Sequence, residues 1–149
     1  MVIYLAADHR GYNLKETVKR FLLNGGYEVF DVGNEKYEEG DDYPDFAVKL
    51  AKNVSLNAEF SRGIAICGSG VGVNVVTNKF RNVRSALAIN SDQIYDARHD
   101  DNANVLCLAA DFTSETDAQK IVEIFLTTPF GNEERHRRRL DKITQLENA

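Results

Sequence analysis

Short apolar runs alternate with longer amphipathic stretches along the whole chain, and this alternation limits the possible folds more than any other feature. Val2–Ala7 reads as a buried strand, and Asn13-Leu14-Lys15-Glu16 looks like a capping box that opens a helix to Leu23. Gly25-Gly26 stops that helix, and Tyr27–Val32 predicts the next strand. Gly33 to Asp42 is polar and acidic, a loop ahead of Tyr43-Pro44. Pro44 suits the first turn of a second helix, with Phe46, Val48, Leu50, Ala51 and Val54 on its apolar side. Gly63–Cys67 predicts a third strand, followed at once by a glycine-rich turn and a helix to about Phe80. Ser85–Ile89, a helix from about Ser91, and Val105–Ala109 continue the pattern. Ser114-Glu115-Thr116-Asp117 predicts an N-cap before Ile121–Leu126, and Pro129 separates that helix from a last one, Glu133 to about Glu147.

Five strands alternating with helices predict an α/β fold: one parallel five-stranded sheet with helices on both faces and a C-terminal helix. At 149 residues the chain can bury a core without disulfides, and no repeat or linker divides it, so residues 1–149 read as one domain. Two cysteines, Cys67 and Cys107, do not make a secreted disulfide scaffold. The first residues offer no leader or membrane span, which leaves a cytoplasmic enzyme, a small-ligand binder or an interaction module. A net charge of -5 argues against a nucleic-acid partner. The charge is uneven, however: residues 132–149 hold 5 Lys and Arg against 4 Asp and Glu, with four of the cations inside Arg135–Arg139.

In open parallel sheets ligands gather at the carboxyl ends of the strands. That rule singles out Asp8-His9-Arg10-Gly11 after the first strand and Gly68-Ser69-Gly70-Val71-Gly72 after the third. Three glycines in five residues let the backbone turn tightly and aim successive N–H groups at an anion, and they stabilise negative charge on an adjacent cysteine. A dinucleotide fingerprint fails because position 73 is Val. A Walker loop fails for want of Gly-Lys, and a cysteine phosphatase loop for want of an arginine beyond Val73-Asn74. What survives is a thiol beside backbone donors, suited to taking a proton from carbon next to a carbonyl, unless Cys67 is only a buried strand residue beside a tight turn. Ser69 is a candidate proton shuttle or a simple turn residue. His9 could meet a phosphate and Asp8 a hydroxyl. Arg98-His99-Asp100-Asp101-Asn102 reads as a solvated helix end when taken alone. Arg135 and Arg139 stand one turn apart on a helix and can clamp a phosphate, although a solvated basic face is the commoner fate of such a run. Cys107, between Leu106 and Leu108, reads as core.

Together these segments resemble the ribose-5-phosphate isomerase B family, which includes the galactose-6-phosphate isomerase subunits. The similarity runs through Ala7-Asp8-His9-Arg10-Gly11, Asp42-Tyr43-Pro44-Asp45, Ile66-Cys67-Gly68-Ser69-Gly70-Val71-Gly72, Asn78-Lys79, Asn102-Ala103-Asn104-Val105-Leu106, and Arg135-His136 with Arg139. The resemblance implies a Rossmann-like three-layer fold, no metal, no cofactor, and a homodimer or tetramer with active sites between subunits. It implies interconversion of ribose 5-phosphate and ribulose 5-phosphate, in the pentose phosphate pathway, through a cis-enediol. By this resemblance Cys67 is the base, Gly68, Gly70, Val71 and Gly72 belong to the anion hole with Ser69, and Asp8 and His9 bind substrate. Arg135 and Arg139 grip its phosphate.

Two departures stand out. Where the family has a ring-opening histidine and a substrate-binding asparagine, this chain has Asp100 and Asp101, with His99 one residue earlier. Where the family usually has Gly, any residue and Arg, this chain reads Ala109-Ala110-Asp111. His99 or Asp100 would then open the ring. The alternatives are a hexose 6-phosphate isomerase (allose or galactose), one subunit of a hetero-oligomer, or a sugar-phosphate-binding homologue impaired in catalysis.

Overall fold

A computed structural model describes residues 1–149 in full. Its elements run β1 (Val2–Ala7), α1 (Tyr12–Asn24), β2 (Glu28–Asp31), α2 (Tyr43–Leu56), β3 (Ser61–Cys67), α3 (Val71–Thr77), β4 (Ser85–Leu87), α4 (Ser91–His99), β5 (Val105–Ala109), α5 (Glu115–Thr127) and α6 (Glu134–Glu147). All strand pairs are parallel, in the order β2-β1-β3-β5-β4. No helix is long and apolar enough to cross a membrane.

Side-chain alternation along the central strands builds two unequal faces. Ile3, Leu5, Ile64, Ile66, Leu106 and Leu108 point to one face and pack against α1, α4 and α5. Ala6, Ala65, Cys67, Val105 and Cys107 point to the other, against α2 and α3. Each fully buried aliphatic side chain contributes roughly 1.5–3 kcal/mol, so the larger residues make the first face the main stabilising layer. The smaller residues let α2 and α3 approach closely: a Cβ at Gly63 would come within 2.5 Å of Leu50 Cδ2. Cys67 belongs to this small-residue side.

Strand order also places the site. The chain leaves β1 for β2 in one direction and returns to lay β3 on the other side of β1. The segments after β1 and β3 therefore diverge at the carboxyl edge, the switch point where open parallel sheets take their ligands.

The expected strands, helices and parallel sheet are all present, but local details differ. The capping box at Asn13 does not form. Gly11 is the N-cap of α1, with no side-chain cap, and Asn13 lies inside the helix. Asp8 Oδ1 accepts the Gly11 N–H at 2.9 Å, so the turn is closed from upstream. A Cβ at Gly11 would meet the Ile66 carbonyl oxygen at 2.5 Å, so this position needs glycine. Helix α3 ends at Thr77 rather than near Phe80, with Asn78 as its C-cap. The N-cap at Ser114 forms as expected, its hydroxyl accepting from the Asp117 N–H at 3.1 Å.

Candidate active site

Cys67 ends β3 and is buried, at 4% exposure. Gly68 and Gly70 are buried beside it, whereas Ser69 and Val71 face solvent. Gly70 caps α3 with φ 72°, a left-handed conformation that glycine adopts without strain. Within the chain no acceptor takes the N–H of Gly68, Ser69 or Gly70, while the Val71 N–H donates to Ser69 Oγ at 3.3 Å. Three uncommitted amides thus surround the loop next to the thiol. Helix α3 has only seven residues, so these local donors, rather than a long helix dipole, set the field. The Tyr43 ring, at the start of α2, lies against Gly72, where a Cβ would meet it at 2.6 Å.

Asp8 and His9 follow β1, the strand paired with β3, at the same edge of the sheet as this loop. Asp8 is buried, and burial pushes its carboxyl pKa up against the lowering effect of the Gly11 N–H. Both the backbone N–H and Nδ1 of His9 reach Asp41 Oδ1, each at 2.8 Å. The Asp41 hydrogen bond raises the imidazole pKa above its ordinary 6.5. Burial pushes Asp41 up, but the His9 and Asn34 donors outweigh it and hold the carboxyl below its ordinary value. Asn34 Nδ2 donates to Asp41 Oδ2 at 2.5 Å. The fully buried Lys15 in turn donates to the Asn34 carbonyl and to Asp31 Oδ2, both at 2.6 Å. A buried ion pair therefore fixes the loop that fixes His9.

His99, Asp100, Arg135 and Arg139 stand apart from this edge. Helix α4 starts at the carboxyl end of β4 and runs back, so His99 and Asp100 lie at the amino edge of the sheet. The register pairs Cys67 with Ala109, and Val105 lies four residues back along β5. That is about 13 Å of strand between the two edges. His99 Nδ1 donates to Asp100 Oδ1 at 2.8 Å, and the His99 ring stacks on Tyr95 at 5.5 Å between centroids. The His99 hydrogen bond, aided by the nearby His136 and Arg135, holds the Asp100 pKa below the usual carboxylate value. His136, the one buried residue of α6, puts Nε2 3.5 Å from Asp100 Oδ1 and its ring edge against His99. Arg135 and Arg139 are exposed on the same helix; Arg135 pairs with Glu133 at 2.9 Å. Asp101 instead lines a cavity of about 710 Å³ with Arg84, Ala97 and Ile143. Arg98 is buried and donates to the Ala103 carbonyl at 2.5 Å, so this segment is not the solvated helix end that it reads as in isolation.

Several residues close the site without a sequence signal. Asp41, Asn34 and Lys15 act through contacts 16 to 32 residues apart. His136 sits inside the basic run, where its burial is the one clue that sets it apart. Donor atoms of Asp8, His9 and Asp41, and of His99, Asp100 and His136, lie close enough together to hold a metal ion. In both trios a histidine–carboxylate hydrogen bond already engages two of the three side chains. Cys107 is core as expected: burial pushes its thiol pKa up to about 12, and Ser85 Oγ lies 3.1 Å away.

Fold and site define a parallel α/β domain with a buried thiol beside a glycine-rich loop at one edge of the sheet and a histidine pair at the other. Residues 3–143 match the family model for Ribose/Galactose Isomerase. The chain is 41% identical to a probable ribose-5-phosphate isomerase B of Mycoplasma genitalium, over 97% of this chain and 95% of that one. It is 35% identical to ribose-5-phosphate isomerase B of Mycobacterium tuberculosis, over 99% of this chain and 90% of the relative. The crystal structure of the Mycoplasma genitalium enzyme with bound ribulose-5-phosphate superposes with a TM-score of 0.95, covering 99% of this chain and 96% of that one. The Clostridium thermocellum ribose-5-phosphate isomerase B structure, 38% identical, gives 0.94 over 99% of this chain and 98% of that one. The chain belongs to the ribose/galactose isomerase family.

Proposed function

We propose that this chain is a cofactor-independent isomerase that interconverts ribose 5-phosphate and ribulose 5-phosphate. The observation that carries the reading is Cys67, buried at the end of a central strand beside three uncommitted loop amides. The related Mycoplasma genitalium enzyme, with ribulose-5-phosphate bound, supports a pentose phosphate over a hexose phosphate. In the aldose-to-ketose direction the Cys67 thiolate takes the proton from C2 of the open-chain sugar. The electron pair moves through the C1–C2 bond onto O1, giving an enediolate whose oxygen receives hydrogen bonds from the loop N–H groups around Gly68, Ser69, Gly70, Val71 and Gly72. The Ser69 hydroxyl carries the O2 proton to O1, and the thiol returns its proton to C1. Asp8 binds a sugar hydroxyl, and His9, whose pKa the Asp41 hydrogen bond raises, faces the phosphate.

Ring opening must precede this chemistry, and His99 with Asp100 is the acid–base pair suited to it. Their mutual hydrogen bond makes them one device instead of two alternatives, and it favours a working enzyme over an impaired binding homologue. The pair takes the anomeric hydroxyl proton and delivers a proton to the ring oxygen as the C1–O bond of the ring breaks, so that it ends with the protons it began with. With about 13 Å of strand between the edges, we propose that the thiol edge of one copy meets the His99 edge of a second. A homodimer then brings Asp101, Arg135 and Arg139 of the partner to the substrate. Val71, exposed at 52% within the glycine loop, and Phe112, exposed at 78% beside it, suit such an interface. On this reading residues 1–149 form one catalytic domain, working in the cytoplasm.

Incubating the pure protein with ribose 5-phosphate and following ribulose 5-phosphate tests the proposal, with allose 6-phosphate and galactose 6-phosphate as competitors. Faster turnover of the pentose, abolished in Cys67→Ala, is expected. Faster turnover of a hexose phosphate, or full activity in Cys67→Ala, contradicts it.

A further inference from the structure

Arg10 follows the substrate-facing pair Asp8-His9, and its guanidinium pairs with the carboxylate of Asp111, which follows β5. The pair bridges the glycine loop. The Asp111 N–H donates to the Gly68 carbonyl at 3.0 Å and the Ala110 N–H to the Cys67 carbonyl, so the Asp111 turn is fixed to the loop. A Cβ at residue 68 would run into the Arg10 guanidinium, so Arg10 lies directly over Gly68. Lys15 and Lys19 are spent on Asp31, whereas Arg10 holds a partner that it can exchange. Both members of its pair are partly exposed, Arg10 at 55% and Asp111 at 39%. An exposed ion pair of this kind is weak, whereas a guanidinium can hold a phosphate dianion through two hydrogen bonds.

We infer that Arg10 grips the substrate phosphate from the same subunit as Cys67, and that Asp111 holds Arg10 over the glycine loop until substrate arrives. This inference rests on the isomerase reading above. Asp111 is then a positioning residue with a cost, because its carboxylate repels the dianion that it prepares Arg10 to receive. Phosphate recognition would be divided, with Arg10 on one copy and the Arg135–Arg139 face on the other.

Steady-state kinetics on ribose 5-phosphate, together with competitive inhibition by inorganic phosphate, test this in the intact protein. Arg10→Ala is expected to raise KM and to weaken inhibition by phosphate, each by about tenfold or more, with the loss carried by KM and not by kcat. Asp111→Asn is expected to lower KM and tighten phosphate inhibition. The double variant Arg10→Ala with Asp111→Arg supplies a guanidinium to the same spot from the other side, and it is expected to recover most of the lost affinity. Unchanged KM and unchanged phosphate inhibition in a folded Arg10→Ala protein would overturn the inference and leave the isomerase reading intact. If the wild-type protein does not isomerise ribose 5-phosphate, the isomerase reading itself fails. Direct titration of phosphate into wild type and Arg10→Ala then decides the inference: weaker binding in the variant supports it, and equal binding overturns it.

Discussion

The backbone N–H and the ring Nδ1 of His9 both end on a single oxygen of Asp41, at 2.8 Å each. One carboxylate thereby fixes the ring's position and favours its charged form. Asp41→Asn removes the anion, so the His9 pKa falls toward or below its ordinary 6.5. NMR titration of the His9 ring is expected to show this drop, together with a KM for ribose 5-phosphate that rises most above neutral pH. An unmoved titration would detach Asp41 from His9.

The same pair contributes to stability with a defined pH window. A raised imidazole pKa stabilises the fold fully below 6.5, and that contribution is lost as pH climbs through the raised value. A depressed carboxyl pKa stabilises the fold above 3.8, and that contribution is lost as pH falls through the lowered value. Urea denaturation of wild type and Asp41→Asn across pH is expected to show the largest difference between these limits. A difference that stays the same from well below the lowered carboxyl value to well above the raised imidazole value would rule the coupling out.

Replacing the buried Lys15 with Met leaves the Asn34 carbonyl without its donor and Asp31 with Lys19 and the Gly33 N–H. Breaking a buried pair by removing one partner costs about 3–5 kcal/mol. Chemical denaturation is expected to show a loss at or below that range, because Lys19 retains part of the interaction. KM is expected to rise as well, since Asn34 holds Asp41.

Gly70→Ala asks an alanine to adopt φ 72° and brings its Cβ to 2.5 Å from Leu87 Cδ1. Left-handed backbone costs a non-glycine residue about 1–2 kcal/mol, before any clash. A lower melting temperature with a larger fractional loss of kcat is expected, because the same turn aims the loop amides. Wild-type kcat in this variant would remove the glycine loop from the chemistry.

How much of this was legible in the sequence follows the reach of the interactions involved. Strand β5 matches its apolar run residue for residue, and Ser114 caps α5, because local composition decides both. The glycine loop after Cys67 was visible for the same reason: φ 72° at residue 70 is a backbone demand met within the segment. The capping box at Asn13 was misleading, since Asp8 and the close Ile66 carbonyl fix the helix start at Gly11. Asp41, His136 and the Arg10–Asp111 pair were hidden because their partners lie 32, 36 and 101 residues away, beyond any periodicity. The distance between Cys67 and His99 was hidden too, as it depends on α4 running back along the sheet.

Subunit complementation tests the central claim most directly. Cys67→Ala and His99→Ala proteins are each purified, unfolded, mixed in equal amounts and refolded together. If each site joins the thiol edge of one copy to the His99 edge of another, every mixed dimer holds one site with both groups intact. Random pairing then restores about one quarter of wild-type ribose 5-phosphate isomerase activity from two inactive parents. No recovery, with mixed dimers verified by mass spectrometry, would contradict a site shared between subunits.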